Sequence, residues 1–291
     1  MSIQRGNVGW RSKIPLTLSI VCLLIISIAA ILAPETMSLG AVLSEQAYAT
    51  PIDFPPLGAD SRGRPLIEYA MQGSKIIFLP CLISGLLVIT FGMIGGILHC
   101  LQMPKVLSAV QSVGEIFGAL PRMVVLLVVA LILPYQWRGL LPLAITWALL
   151  CAPNAIDEAG SVAERLGGSR FVEALRAHGF SAFRIYFYHI VWLNLRPVLV
   201  RQGSEVMMQV VFLEVSLSYL AMIQEQPSFT HSESTHSWAE LLYQGYIGLI
   251  IQPIAPHGEP VTTMHILALG LFLIGLVVVG SFSLSRAAEA R

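Results

Sequence analysis

The chain has 291 residues, 55% of them hydrophobic and 12% charged, with a formal net charge of zero. A soluble domain carries about 25% charged residues, so half that share leaves too little polar surface for a water-soluble globule of this size. A neutral chain also lacks the electrostatic footprint of a nucleic-acid binder.

A spanning helix needs about 20 apolar residues. Six windows qualify in chain order: 14–33, 76–98, 116–134, 139–156, 203–224 and 263–284. The first two are uncharged, the third is broken only by Arg122, and the fifth carries Glu205 and Glu214. Backbone groups in hydrocarbon must bond internally, which makes these segments helices. The expected fold is therefore all-α, a polytopic membrane protein of about six transmembrane helices. Arg5, Arg11 and Lys13 precede the first window, and Ala47-Tyr48-Ala49 is a small-residue sequence of the signal-peptidase kind. The apolar run exceeds the roughly 7–15 residues of a signal peptide, so the segment is read as a retained helix.

Lys and Arg set the orientation. With a cytoplasmic N-terminus, residues 1–13, 99–113, 157–202 and 285–291 lie inside and hold twelve Lys and Arg, against Arg62, Arg64, Lys75 and Arg138 outside. Both termini are then cytoplasmic. Residues 34–75 form a long external loop, 76–285 the transmembrane core, and 286–291 a tail. The stretch Leu241 to Ile254 is apolar but too short to span, and is read as interfacial or re-entrant.

The loop 157–202 is the most informative part. Phe171, Ala174, Leu175 and His178 fall at helical spacing, and Gly179 stops that helix as glycine does past a C-terminus. Ser181 is placed to N-cap a second helix through Ile185, Tyr188 and His189. Two short helices at an angle, beneath a bundle with no other soluble part, read as a docking surface.

Four cysteines, Cys22, Cys81, Cys100 and Cys151, lie in or beside apolar stretches without metal-type spacing, and are read as packing residues. Neither a structural metal nor a cofactor is expected. His231 and His236 flank Ser232-Glu233-Ser234-Thr235 and are read as a solvated loop. Glu115, Arg122 and Glu214 sit in apolar surroundings and need partners or water. They are read as packing groups in preference to a solute path.

Three motifs carry a resemblance. Glu173-Ala174-Leu175, then Gly179 and Ile190, is similar to the cytoplasmic Glu-Ala-Ala…Gly motif of binding-protein-dependent ABC permeases. Pro56-Leu57-Gly58-Ala59-Asp60-Ser61-Arg62-Gly63-Arg64, followed by Gly73 and Ile76, resembles the external stretch of the second permease subunit of dipeptide and oligopeptide (and nickel) importers. Leu213 to Leu220, with Trp238 after it, resembles a third stretch of that family. The third motif alanine is here Leu175, and the usual Trp-Gly is Trp238-Ala239.

The resemblance implies a type I ABC-importer permease (MetI-like) fold with a cytoplasmic coupling-helix loop, in a bacterial inner membrane. It implies a second homologous permease subunit, two cytoplasmic ATP-binding subunits, an external solute-binding protein and membrane lipid as partners. The docking residues would be Phe171, Glu173, Ala174, Leu175, His178, Gly179 and Ile190. The external motif residues are Leu57, Gly58, Asp60, Gly63 and Arg64. No Gly-x-x-x-x-Gly-Lys-Ser/Thr occurs in the chain, so ATP hydrolysis would fall to a partner. Peptides are the first expected solute, with nickel or a metal chelate as the alternative. A membrane enzyme acting on lipid is the reading of another class, but no nucleophile–base pair or metal set accompanies it.

Overall fold

The computed structural model describes residues 8–34, 46–101, 104–119, 121–134, 137, 139–166, 168–223, 236–251, 253–254 and 262–289. Among these the elements are α1 (Val8–Leu32), α2 (Leu66–Cys100), α3 (Pro104–Gly118), α4 (Arg122–Ile132), α5 (Leu140–Arg165), α6 (Gly168–Ala177), a π-helical segment (Arg184–Leu195), α7 (Arg196–Ile223), α8 (Trp238–Ile251) and α9 (Met264–Glu289). Strand structure among the described residues is limited to isolated bridge positions, Ala59 with Pro65 and Ile254. Among the described residues five stretches are long and apolar enough to cross a membrane: Lys13–Leu32, Leu66–Cys100, Leu140–Arg165, Arg184–Met222 and Met264–Glu289. The chain is an all-helical, multi-pass membrane protein.

The third expected window, 116–134, is not one helix. Pro121 has no amide to donate to the preceding turn, and α3 ends at Gly118 while α4 starts at Arg122. Eleven residues reach only about 16 Å, roughly half the hydrocarbon core. Leu126 and Ala130 of α4 share one buried cluster with Leu140, Leu143 and Trp147 of α5.

Other boundaries move outward. α2 begins at Leu66, ten residues before the apolar window and directly after Pro65, so the end of the expected loop 34–75 is helical. Hydropathy is blind to these ten residues because Glu68 and Lys75 lower it, while backbone bonding continues regardless. α5 likewise runs on to Arg165.

The centre of the bundle is the α2–α5 pair. In hydrocarbon, helices associate through close backbone approach, not through expulsion of water. α5 offers a stripe of buried small residues, Ala144, Ala148, Ala152, Ala155, Ala159 and Ala163. Gly95 of α2 meets it so closely that an added Cβ would stand 2.6 Å from the Ile156 Cα. α7 packs on both helices of this pair, α9 packs on α7, and α1 lies against α9 and α2. α1 keeps Ile14, Ile31 and Leu32 more than 60% exposed. Such a surface is a liability in water and is solvated by lipid.

Candidate functional site

Two polar assemblies stand at opposite ends of the bundle. The first is built on the loop before α2. Gly58 and Gly63 hold positive φ, +90° and +77°, which glycine adopts without the Cβ penalty. The turn they permit folds the backbone over Asp60, which is fully buried. One carboxylate oxygen accepts the amides of Arg62 (2.8 Å) and Arg64 (2.7 Å). The other accepts the Tyr69 hydroxyl at 2.7 Å. A buried charge is tolerated when hydrogen-bonded from several sides.

From there the network crosses to α8. Arg64 Nη1 lies 2.9 Å from His236 Nε2, and His236 Nδ1 is bonded to Glu240. The His236 ring stacks at a tilt on Tyr69, centroids 4.8 Å apart. The His236 amide donates to Gln72 Oε1 at 3.1 Å, and Gln244 donates to Glu240 at 3.1 Å. Trp238 is fully buried and donates its indole N–H to the Ala70 carbonyl at 3.1 Å. His236 is thus a bridging residue of the folded cap and not part of a solvated loop; His231 lies outside the described residues. The i, i+4 spacing puts Glu240 and Gln244 on one face of α8, with His236 just ahead of its first turn; the partners of His236 on the loop before α2 have no signal in the sequence.

α8 covers the bundle beside this cap. It packs between α7 and α9, and Thr263 caps the contact by donating to the Gly245 carbonyl at 2.9 Å.

The opposite end carries α6. Its last turn closes as a Schellman motif: the Phe180 amide bonds the Leu175 carbonyl at 3.3 Å and the Gly179 amide bonds the Arg176 carbonyl at 2.8 Å. Gly179, at φ +80°, takes the left-handed position that this motif requires. Val172 is buried, and Phe171 and Leu175 pack half-buried on a second core cluster with Ala159, Ala163, Ile185 and Ile190. Glu173, Ala174, Arg176 and His178 face outward. His178 Nδ1 is 2.8 Å from the Ala174 carbonyl. Ile190 is wholly buried and belongs to the support of the loop, not to its outer face.

The second expected short helix is not separate. From Arg184 the chain runs unbroken through Leu195 into α7. Ser181 starts it with its carbonyl, which accepts the Ile185 amide at 3.0 Å, and its hydroxyl makes no capping bond among the described residues. The π-helical turns end at Arg196, whose amide reaches back five residues to the Val191 carbonyl. Widening the helix there absorbs Pro197, which has no amide to donate and would otherwise break the regular ladder. The helical segment beside α6 is therefore continuous with a helix long and apolar enough to span a membrane. Phe183 and Trp192 stand 73% and 57% exposed on it, and Arg196 lies over the Trp192 ring at 4.7 Å.

Between the two ends lie the intramembrane polar residues. Arg122 is half-buried with Nη1 3.9 Å from Cys151 Sγ, and Cys151 in turn neighbours Gln209, which accepts the Trp147 indole N–H at 2.8 Å. Glu214 is fully buried. It accepts from Ser218 at 2.9 Å and faces Ser237, while its second oxygen has no hydrogen-bond partner among the described residues. Glu115 is exposed on α3. Arg122 and Glu214 are thus separate sites and not an ion pair. Nearer α6, Glu158 of α5 bonds both Arg201 and Gln202 of α7, the latter at 2.7 Å. The four cysteines are buried and unpaired. No group of three or more potential metal ligands occurs among the described residues.

No protein-family model matches this chain, and no curated protein matches it.

Proposed function

We propose that the chain is a transmembrane subunit of an ATP-driven importer, forming half of a translocation pathway for peptides or similar solutes. The carrying observation is α6. It is a ten-residue helix seated on the end of the bundle by Val172, stopped by Gly179, and presenting Glu173, Ala174, Arg176 and His178 to solvent. A soluble ATPase docking on that face would push on a rigid body. The adjoining helix, continuous from Arg184 to Met222, would carry the push into the membrane. ATP would act by binding one docked state better than the other, which is all that shifting such an equilibrium requires.

In this reading α6 is cytoplasmic, and α3 with α4 makes a broken third crossing. The N- and C-termini are then both cytoplasmic, and the membrane is a bacterial inner membrane. The cap built on Asp60 and His236 would face an external solute-binding protein. A second permease subunit and two ATP-binding subunits complete the assembly.

The experiment is affinity purification of the expressed chain with its partners. Retention of an ATPase that is released by Gly179→Trp, but kept by Gly179→Asn, supports the proposal, because asparagine accepts the left-handed backbone and tryptophan blocks the face. Retention unaffected by both substitutions, or no ATPase bound to the unaltered chain, overturns it.

A further inference from the structure

A cleft of about 310 Å³ opens between α7 and α9, lined by Arg201, Ser204 and Glu205 on one side and Ser281, Ser285, Arg286 and Glu289 on the other. Its position is set by hydropathy. The apolar part of α7 begins just after Arg201 and that of α9 ends just before Arg286, so the cleft stands where a spanning helix leaves hydrocarbon for the headgroup layer. Its size falls at the low end of small-molecule sites.

The lining is dipolar. Arg201 is anchored by Glu158 and lies 3.7 Å from Glu205. Among the described residues Arg286 is held by a long, 3.9 Å approach to Glu289 and by the Phe282 ring, over which its guanidinium lies at 5.1 Å. Ser281 is 2% exposed, and its hydroxyl has no hydrogen-bond partner among the described residues. A helical serine ordinarily bonds the carbonyl four residues back, as Ser74 does to Ala70 at 2.8 Å. An orphaned buried hydroxyl on a cleft wall, beside a loosely held guanidinium, marks a place for an acceptor. The two carboxylates mark a place for a donor cation.

We propose that this cleft holds the headgroup of a membrane phospholipid bearing both a phosphate and a primary ammonium, that is, a phosphatidylethanolamine. Arg286 and the Ser281 hydroxyl take the phosphate. Glu205 and Glu289 take the ammonium, which the carbonyl end of α9 also favours. Met208 and the exposed Phe282 continue the cleft into an apolar surface for the acyl chains. The inference rests on membrane embedding alone and is independent of the importer assignment.

The test is native mass spectrometry of the delipidated full chain in detergent, titrated with phosphatidylethanolamine, phosphatidylcholine and inorganic phosphate. The first should bind at least fivefold tighter than the second, which has the same phosphate but no N–H donor, and Arg286→Gln should lose at least threefold of that binding. Equal binding of the two lipids, undiminished binding by Arg286→Gln, or displacement by millimolar inorganic phosphate overturns the proposal. If Arg286→Gln does not fold, a photoreactive residue at position 282 in phosphatidylethanolamine vesicles decides. A lipid adduct supports the site; a protein–protein adduct or no adduct overturns it.

Discussion

The indole of Trp238 occupies the space that any side chain at position 73 would need: a Cβ added to Gly73 would lie 2.1 Å from the ring. That single approach joins α2 to the start of α8 and fixes the cap built on Asp60 and His236. Gly73→Val should cost about 2 kcal/mol or more through overpacking. Trp238→Ala should be costly alone, yet in the double variant the two losses should fall short of their sum by about 1 kcal/mol. Thermal unfolding of the four proteins in one detergent measures this; strict additivity would mean the contact is not tight.

Asp60 organises the same cap by satisfying two amides and one hydroxyl. Asp60→Ala strands all three, at roughly 1–3 kcal/mol for each group that stays buried. Tyr69→Phe removes one bond and should cost about 1 kcal/mol. Asp60→Asn keeps an acceptor for the amides and should fall between. Limited proteolysis of the 46–65 segment should follow the same order, with the alanine variant cut fastest.

Gly179 makes a contrasting case. Nothing lies within 4 Å of where its Cβ would be, so a side chain meets no neighbour and only the left-handed backbone is penalised, by about 1–2 kcal/mol. Gly179→Ala should therefore speed hydrogen exchange within residues 170–180 while leaving the α2–α5 pair protected. Equal loss of protection in both regions would show that α6 is integral to the core.

The four native thiols are all under 8% exposed, so the folded chain should react slowly with a membrane-impermeant maleimide. Phe183→Cys, at a site 73% exposed, should label within minutes and, in the orientation we propose, from the cytoplasmic side only. Rapid periplasmic labelling at 183 would invert the topology and remove α6 from any cytoplasmic ATPase.

Much of this architecture can be read from composition and period, because lipid imposes a simple rule: backbone polar groups bond within the segment, and length must match the bilayer. The stop at Gly179 is equally local, since one glycine and its turn decide it. The fate of Ser181 was not local. Whether a new helix starts there or one helix runs on depends on Pro197, and on a widened backbone that only neighbouring helices stabilise.

The sequence by itself determined that the chain is helical, embedded in a membrane, and bent at Gly179, because each follows from short stretches of side chains and their solvent. Tertiary structure alone decided that His236 closes a buried network on Asp60 and that Trp238 fills the space above Gly73. These partners are separated by more than 160 residues, and their meeting depends on how five long helices pack, which no local pattern encodes.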